Sequence, residues 1–293
     1  MALYTLNVVG GSELRVCLLV VLYKLDPDQS STLKSIHSAE LLLSYGFDVS
    51  VVVWDNSAPL SRREEVGGLI PSGFEFHYFQ SEGNESLARI YNTVIKLFSG
   101  GCDYIGFYDH DSCLSEEYFH QFQLSENKYS CAYAFAPKIY VGTRLVSPGK
   151  RIWLKGYYVN DFDVGVYKKQ DWLVINSGLI VRLKYFSETS NYFDERLGFY
   201  SVDSYFSIKF QKSGYRLCVF DGALSHSLSL YEDESLKKKL WRFEDRMSGM
   251  YVTYGSGQYK YIVMIYLLSV ASLYAVKNKS LSYYKALYRG VLR

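Results

Sequence analysis

Two acidic residues one position apart, Asp109 and Asp111, directly follow an apolar segment over residues 104–108 that predicts a β-strand. In an open α/β sheet, ligands bind outside the carboxyl ends of the strands, so this Asp-x-Asp pair is expected to face a cleft. Carboxylate oxygens suit Mg²⁺ or Mn²⁺, which are usually held by one or two protein carboxylates together with substrate phosphates. The pair therefore indicates a metal-bridged diphosphate, while a solvated turn with an Asx cap gives the same short pattern.

The segments before the acidic pair alternate between strand and helix patterns. Residues 15–23 are a continuous apolar run rich in β-branched side chains, which is typical of a parallel strand buried on both faces. Residues 32–45 carry an apolar stripe with helical spacing, and residues 47–54 predict a second strand that ends in Asp55. This strand-helix-strand spacing predicts a parallel sheet with right-handed crossovers.

Polar residues follow three of the predicted strands. A third strand over residues 74–79 and a helix over residues 84–98 lead to the acidic strand. Tyr23, Asp55 and the acidic pair thus stand at strand ends, and all are suited to contact a nucleotide. Because the carboxyl ends of parallel strands meet at one edge of a sheet, these side chains are expected to converge.

The second half of the chain is harder to interpret from its pattern. Residues 150–171 have weak periodicity and predict a loop-rich insertion that faces the acceptor. A turn and strand over residues 175–180, a helix over residues 201–212 and a last strand before His226 follow. Asp203, in the first turn of that helix, could simply be a charge favoured by the helix dipole.

The composition excludes several classes of protein. An apolar content of 48% in 293 residues is ample for a sizeable core. The five cysteines are scattered and lack Cys-x-x-Cys spacing, so neither a disulfide framework nor a zinc site is indicated. Residues 1–14 lack the basic and apolar blocks of a secretory signal, which predicts a cytosolic protein.

The C-terminal segment is both basic and apolar. Residues 237–293 carry eleven Lys/Arg against two acids, so their balance of +9 leaves −7 on the preceding residues within a net charge of +2. Residues 261–276 contain no charge and are shorter than the roughly 20 residues that a spanning helix needs. They predict either a buried helix or an interfacial helix whose flanking lysines reach anionic lipid, and residues 280–293 fit an amphipathic surface helix. Basic residues in an apolar tail, rather than on a patterned face, argue against nucleic-acid binding.

Taken together, these residues resemble the inverting family 2 glycosyltransferases of the GT-A fold, most closely their bacterial rhamnosyltransferase-like branch. The matching pieces are Asp55-Asn56-Ser57, Asn84-x-x-x-Ala88-x-x-x-Asn92, Tyr108-Asp109-His110-Asp111-Ser112, Asn176-Ser177-Gly178, Phe193-Asp194-Glu195, Val202-Asp203, Gly214-Tyr215 and His226-Ser227-Leu228. The resemblance covers about residues 15–230. It implies an α/β GT-A fold over residues 1–230, with a Rossmann-like, mostly parallel central sheet flanked by helices, and a C-terminal helical appendage over residues 231–293.

The resemblance also implies how a nucleotide-sugar donor would bind. Tyr23 would pack near a pyrimidine base, and Asp55 would accept a hydrogen bond from its N3–H. Asn84 and Arg89 belong to the helix segment that lies beside the nucleotide. Asp109 would lie near the ribose and the metal.

The reacting groups follow from the same resemblance. Asp111 and Asp109 would ligate an Mg²⁺ or Mn²⁺ ion that bridges both phosphates. His226 would be an additional ligand, although a lone His after a strand is more often a structural residue. Asp203 would be the general base that deprotonates the acceptor hydroxyl.

The leading interpretation is an enzyme that transfers L-rhamnose from dTDP-rhamnose to a saccharide, implied to be a polyprenyl-diphosphate-linked acceptor. Such an enzyme would serve bacterial surface polysaccharide synthesis, as of O-antigen or capsule, on the cytoplasmic face of the inner membrane. One alternative is galactofuranosyl or other hexosyl transfer from a UDP-sugar. Another is a metal-dependent nucleotidyltransferase, which is expected to carry a Gly-rich, basic loop after the first strand; residues 22–31 offer no such loop.

Overall fold

A computed structural model describes residues 14–57, 62–226 and 235–291 of the chain, and the side chains of Ala223, Ser225 and His226 lie outside the described part. Within these ranges the chain forms a ten-stranded sheet, a three-stranded sheet and ten α-helices. The strands are β1 (Leu14–Leu22), β2 (Phe47–Asp55), β3 (Glu75–Gln80), β4 (Tyr104–Asp109), β5 (Ser112–Cys113), β6 (Ala132–Val141), β7 (Arg144–Ser147), β8 (Gly149–Ile152), β9 (Lys155–Tyr157), β10 (Gly165–Tyr167), β11 (Trp172–Leu173), β12 (Leu179–Arg182) and β13 (Arg216–His226).

The helices flank the large sheet and then form a separate C-terminal group. They are α1 (Ser31–Ser35), α2 (Glu40–Ser44), α3 (Arg63–Gly67), α4 (Leu87–Phe98), α5 (Glu116–Lys128), α6 (Lys184–Thr189), α7 (Val202–Ser213), α8 (Leu236–Tyr254), α9 (Lys260–Lys277) and α10 (Ser282–Val291). Short 3₁₀ turns occupy Pro27–Gln29, Ile36–Ala39 and Gly257–Tyr259.

The large sheet brings the predicted strand ends to one edge. Its order is β10-β13-β6-β12-β4-β1-β2-β3, with β5 beside β13 and β7 beside β6. Strand β1 pairs in parallel with β2 and β4, whereas β12 runs antiparallel between β4 and β6. Leu22 lies opposite Asp55, and Val21 lies opposite Asp109. The predicted mostly parallel sheet and the convergence of its strand ends are confirmed.

Both faces of β1 are buried, which explains why its sequence is a continuous apolar run rather than an alternating one. Cys17, Leu19 and Val21 point into a core that also contains side chains of α4, α6 and α7. The residues between them face a second core beneath α1, α2 and α5. The strand therefore contributes to a hydrophobic layer on each of its faces. Tyr23 is the first residue after the strand and lies at the edge of both layers.

The helix predicted over residues 32–45 is divided into α1, a 3₁₀ turn and α2. Ser35 and Ser38 lie at this division. The Ser35 hydroxyl accepts from the Leu114 N–H at 2.9 Å, and the Ser38 hydroxyl donates to the Leu114 carbonyl at 3.4 Å. Serine side chains that bond to backbone in this way compete with a regular helix. The interruption thus ties this segment to the residues that follow the acidic turn.

The insertion predicted as loop-rich contains several short strands. Strands β8, β9 and β11 form the three-stranded sheet, and β10 joins the edge of the large sheet. Each has only two to four residues, which is too short to show a periodic pattern in the sequence.

The C-terminal helices α8, α9 and α10 share a hydrophobic cluster of their own. Helix α9 contributes one side to this cluster, and its other side is exposed. The predicted domain boundary between residues 230 and 231 falls in residues 227–234, outside the described ranges, and it stays a prediction.

Candidate active site

Asp55 ends β2 with a buried carboxylate that accepts four hydrogen bonds from other described residues. Arg62 donates from Nε to Oδ2 and from Nη2 to Oδ1, each at 2.8 Å. The Ser57 N–H donates to Oδ1 and the Tyr78 hydroxyl donates to Oδ2, each at 3.0 Å. Burial by itself would raise the pKa of Asp55, but these hydrogen bonds, chiefly those from Arg62, hold the pKa below its ordinary value. Because a carboxylate has about four acceptor positions, the predicted bond to a pyrimidine N3–H requires one of these bonds to be exchanged.

Arg62→Met should destabilise the protein by about 3 kcal/mol at neutral pH, because it leaves the Asp55 carboxylate buried without its cation. The Asp55 pKa is lowered in the folded protein, so its stabilising effect is present above the unfolded-state pKa of about 4 and is lost as the pH falls through the folded-state pKa. Urea unfolding of wild type and variant should therefore differ most near neutral pH, and the difference should close in acid. Arg63→Met, at the exposed neighbouring position, is the control; equal losses in both variants would contradict the pairing.

Tyr23 lies at the same edge of the sheet as Asp55. It directly follows β1, whose last residue, Leu22, pairs with Asp55. Its ring is half-buried, and the ammonium of Lys24 lies 5.1 Å from the ring centroid. The Lys24 N–H donates to Ser57 Oγ at 2.7 Å, which joins the ends of β1 and β2. This placement fits the predicted contact with a base.

Asn84 is positioned by Asn56, the buried residue that follows Asp55. Asn56 Nδ2 donates to Asn84 Oδ1 at 3.1 Å, and the Glu85 N–H donates to Asn56 Oδ1 at 2.8 Å. The Ser86 hydroxyl then caps α4 by accepting from the Arg89 N–H at 3.2 Å. The start of α4 is thereby fixed beside the end of β2.

Helix α4 connects this edge to the segment that precedes α7. Arg89 is exposed and lies between Glu85 and Glu195, with N–O distances of 3.4 Å and 3.6 Å. One turn further, buried Asn92 donates to the Phe193 carbonyl at 2.8 Å and accepts from the Phe193 N–H at 2.9 Å. The two asparagines of the Asn-x-x-x-Ala-x-x-x-Asn pattern thus hold two separate loops against one helix.

The turn that carries Asp111 is held by the start of α1. The Ser30 hydroxyl donates to the His110 carbonyl at 2.8 Å, and the Thr32 hydroxyl contacts the carbonyl of Asp109. Thr32 Oγ1 also accepts from the Ser112 N–H at 3.0 Å. The backbone on both sides of Asp111 is therefore anchored, which fixes where its carboxylate can reach.

A turn at Asn176-Ser177-Gly178 connects the acidic strand to α7. The Ser177 hydroxyl accepts from the Asp109 N–H at 3.0 Å and bonds to Ser112 Oγ at 2.6 Å. Gly178 adopts φ +86°, a conformation that favours glycine, and its N–H donates to the Phe107 carbonyl at 2.7 Å. Asn176 is 2% exposed, and its side-chain amide makes no hydrogen bond to the described residues. A bound water or ligand group commonly completes such a buried amide.

Asp203 lies against this turn, with the Asn176 N–H donating to its Oδ1 at 3.0 Å. Burial, reinforced by the negative charge of Asp109 and opposed by the Asn176 N–H, raises the pKa of Asp203 to about 7. Burial, followed by the charges of Asp109 and Asp203, also raises the pKa of Tyr91. Asp109 and Asp203, distant in sequence, lie against the same turn, because they bond to its adjacent residues Ser177 and Asn176. The raised pKa of Asp203 is near the value that a base working at neutral pH requires.

Comparison with solved structures shows which known fold this chain resembles. No protein-family profile and no curated protein matches the sequence. Among solved structures, S. aureus TarS 1–349 in complex with UDP matches with a TM-score of 0.53 and 15% identity, over 84% of this chain and 67% of that one. GalNAc-T7 with UDP, GalNAc and Mn²⁺ matches with a TM-score of 0.60 and 12% identity, over 86% of this chain and 50% of that one. The fold is GT-A-like.

At identities of 15% and 12%, these structural matches show the fold of the chain and do not show its activity. The activity has to be inferred from the residues of this chain. The chain spans 66% of the TarS 1–349 structure without ligand and 44% of a longer TarS structure, so much of those proteins has no counterpart here. The GT-A-like architecture nevertheless confirms the predicted fold class.

The acids of this GT-A-like site fit a divalent cation only in part. Asp109 ends β4 and Asp111 lies two residues beyond, so the donor set comprises two hard carboxylates. The described residues contain no group of three or more His, Cys, Asp and Glu that could hold a metal ion. Two carboxylates suffice for Mg²⁺ or Mn²⁺ when substrate phosphates supply the other ligands. The backbone of His226 pairs with Ser112, next to the acidic turn, but its side chain lies outside the described part and its predicted ligand role stays a prediction.

Several residues that shape the GT-A-like site were not predicted from the sequence. Arg62, Thr32 and Ser30 contact residues of other strands through side chains that carry no local pattern. Ser177 and Asn176 belong to a segment that the resemblance identified without giving it a role. The polar side chains of Asn176 and Ser177 stand between two apolar runs, which could have marked them as site residues. Their hydrogen-bond partners, however, could not be predicted from sequence spacing.

Proposed function

We propose that this chain is an inverting glycosyltransferase that moves a sugar from a pyrimidine nucleoside diphosphate to an acceptor hydroxyl. The observation that carries the proposal is the shared site of Asp109 and Asp203, in which burial and the neighbouring charge raise the pKa of Asp203 to about 7. The GT-A-like fold supports it, since UDP is present in the matched TarS complex and UDP with Mn²⁺ in the matched GalNAc-T7 structure.

The proposed reaction is a single displacement. The Asp203 carboxylate accepts the proton of the acceptor hydroxyl, and the acceptor oxygen forms a bond to the anomeric carbon. The bond from that carbon to the diphosphate oxygen breaks, its electron pair leaves with the nucleoside diphosphate, and the anomeric configuration inverts. Asp109 and Asp111 would hold an Mg²⁺ or Mn²⁺ ion, which when bound stabilises the negative charge on the departing diphosphate.

We propose L-rhamnose from dTDP-rhamnose as the donor, because the motif series from Asp55 to Leu228 resembles the bacterial rhamnosyltransferase-like branch. The proposed acceptor is a saccharide on a polyprenyl diphosphate, in the synthesis of a bacterial surface polysaccharide. A UDP-sugar is the second candidate, and the UDP in both matched structures favours it. The two donors differ at the base methyl and the ribose 2′-hydroxyl, so one enzyme should distinguish them.

The test is a panel of dTDP-rhamnose, UDP-galactose, UDP-N-acetylgalactosamine and UDP-galactofuranose, each with Mn²⁺, with Mg²⁺ and with a chelator. We expect one pyrimidine donor to raise the melting temperature and to release its nucleoside diphosphate in a cation-dependent reaction. Release of pyrophosphate from a nucleoside triphosphate and a sugar phosphate would instead identify a nucleotidyltransferase. Failure of every pyrimidine diphosphate to bind would contradict the proposal.

A further inference from the structure

Helix α9 is apolar on all sides, yet the described protein covers only one of them. Val263, Leu267, Ala271 and Ala275 lie at intervals of four and are buried against α8 and α10. The opposite side, called the α9 face, consists of Tyr261, Ile262, Ile265, Leu268, Leu273 and Val276, all exposed. Ile265, Leu273 and Val276 are 65%, 70% and 79% exposed. Because a helix that is apolar all round is normally buried, this face indicates a missing apolar partner.

The hydroxyls of the two serines of α9, Ser269 and Ser272, are hydrogen-bonded within the protein. The hydroxyls of Ser269 and Ser272 donate to the carbonyls of Ile265 and Leu268, each at 2.9 Å. The Tyr284 hydroxyl of α10 donates to Ser272 Oγ at 2.9 Å. Serines that bond back to their own helix can enter an apolar phase without losing hydrogen bonds.

The charged residues in the segment that carries the α9 face are all basic. Exposed lysines stand at both ends of the helix, at Lys260 and Lys277, and continue at Lys279 and Lys285. The sequence contains no acidic residue after Asp245. Long lysine side chains beside an apolar surface extend their ammonium groups towards water and towards anionic headgroups.

We propose that the α9 face docks on the surface of an anionic phospholipid bilayer, with the helix lying in the plane of the membrane. An apolar face whose helix has exposed lysines at both ends matches the chemistry of that surface, where acyl chains lie beneath negative headgroups. Tyr261 on this face and Tyr288 on α10 are exposed aromatic residues, the type enriched at membrane interfaces. This inference goes beyond the proposed function and does not depend on the donor or acceptor.

The packing of α9 favours this orientation over a membrane-spanning one. By length and composition Gly257–Lys277 could cross a membrane, with a mean hydropathy of 1.5. Its uncharged run of sixteen residues, however, is about 24 Å long, less than a hydrocarbon core of about 30 Å. The Arg246 guanidinium of α8 also donates to the Tyr274 hydroxyl at 2.7 Å, so insertion would carry a charge into the bilayer or separate α9 from α8.

The C-terminal helices are attached to the segment that leads into α7. Asp245 of α8 accepts from the N–H groups of Phe199 and Tyr200 at 3.0 Å and 2.7 Å. A Cβ at Gly249 would lie 2.8 Å from the Ser201 side chain, so α8 approaches this segment closely, two residues before Asp203. Membrane docking through α9 would therefore hold the proposed base at a fixed position relative to the bilayer.

The test is flotation of the full-length protein with vesicles of phosphatidylcholine alone or with about 30% phosphatidylglycerol. We expect binding to the anionic vesicles, weakened by raising the salt from about 0.1 M to about 0.5 M. Ile265→Gln/Leu273→Gln should bind about tenfold more weakly, because two apolar anchors are removed from exposed positions that no packing depends on. Lys277→Gln/Lys279→Gln should bind more weakly and with less salt dependence.

Two matched controls separate the α9 face from general surface hydrophobicity and charge. Leu97→Gln/Leu124→Gln changes two exposed leucines on α4 and α5, and Lys168→Gln/Lys169→Gln changes two exposed lysines of the insertion. Both should float like the wild type, and circular dichroism should show all variants to be folded. The proposal is overturned if the wild type stays unbound, if it binds neutral vesicles equally, or if Ile265→Gln/Leu273→Gln floats unchanged. It is also overturned if the wild type does not float and sedimentation shows a dimer that this variant converts to a monomer, since the face would then contact a second copy.

Discussion

Asp203→Asn should lower the rate of sugar transfer by about 10²- to 10⁴-fold, the range that a positioned general base contributes. Donor binding should change little, because Asp203 is proposed to act on the acceptor. In the wild type, kcat/KM should rise with pH to a plateau, because only the ionised carboxylate accepts the proton; without a bound cation, burial and the charge of Asp109 raise the pKa of Asp203 to about 7. A cation bound at Asp109 would lower that pKa, so the midpoint should lie below the value for the cation-free protein.

The same substitution should make the protein more stable above pH 7. Because the folded-state pKa lies above the unfolded-state value of about 3.9, the native protein retains a proton that the unfolded chain loses, and wild-type stability falls as the pH rises between these values. Asp203→Asn removes this penalty, so its advantage should open between pH 4 and 7 and reach roughly 4 kcal/mol, from three pKa units at about 1.4 kcal/mol each, measured by urea unfolding. Asp48→Asn, exposed at the opposite end of β2, is the control. Retained transfer by Asp203→Asn at pH 8 would exclude Asp203 as the base.

Asp111→Ala should abolish cation-dependent binding of the donor diphosphate. The dissociation constant measured with Mn²⁺ should rise by about 100-fold. The physical reason is that Asp111 is one of the two carboxylates proposed to hold the ion, so its loss leaves an incomplete ligand set. Titration calorimetry with the nucleoside diphosphate, with and without Mn²⁺, would measure the effect. Without the cation, wild type and variant should bind alike.

Asp48→Ala serves as the control for this second prediction, since it removes an equally acidic side chain from the other end of the sheet. Its cation-dependent binding should match that of the wild type. If Asp111→Ala retained the full effect of Mn²⁺, the ion would have to be held elsewhere, and the assignment of the acidic turn would be wrong. Unchanged melting temperature in the absence of ligands would show that the turn itself is intact, as expected from its anchors at Ser30 and Thr32.

The strand ends of the site could be predicted because their signals are local. The apolar run of β1 and the alternation of strand and helix patterns gave the parallel sheet, and the carboxyl-edge rule then placed Tyr23, Asp55 and Asp109 together. Helices α4 and α7 also lie close to their predicted positions, because apolar spacing and the glycine at residue 214 mark them. The single helix predicted over residues 32–45 is instead divided into α1, a 3₁₀ turn and α2, because the hydroxyls of Ser35 and Ser38 bond to the backbone of Leu114.

The partners of the site residues could not be predicted, since each comes from a distant part of the chain. Asn92 holds Phe193 across 101 residues, and Asn176 reaches Asp203 across 27. Nothing in the local sequence of Asp55 indicates that Arg62 would fill its acceptor positions. Side-chain hydrogen bonds of this kind depend on loop geometry that forms only when the sheet and helices are packed.

Sequence by itself determined the alternation of elements, the edge at which acids collect and the apolar, basic character of the C-terminal segment, because these depend on residue type and spacing. Only the tertiary structure shows that burial and the approach of Asp109 raise the pKa of Asp203. It also showed that the helix containing residues 261–276 is only partly buried, while its interfacial role stays a proposal. Hydrophobicity specifies that a helix needs an apolar neighbour, but only packing shows that α8 and α10 cover one side of α9 and leave the other exposed.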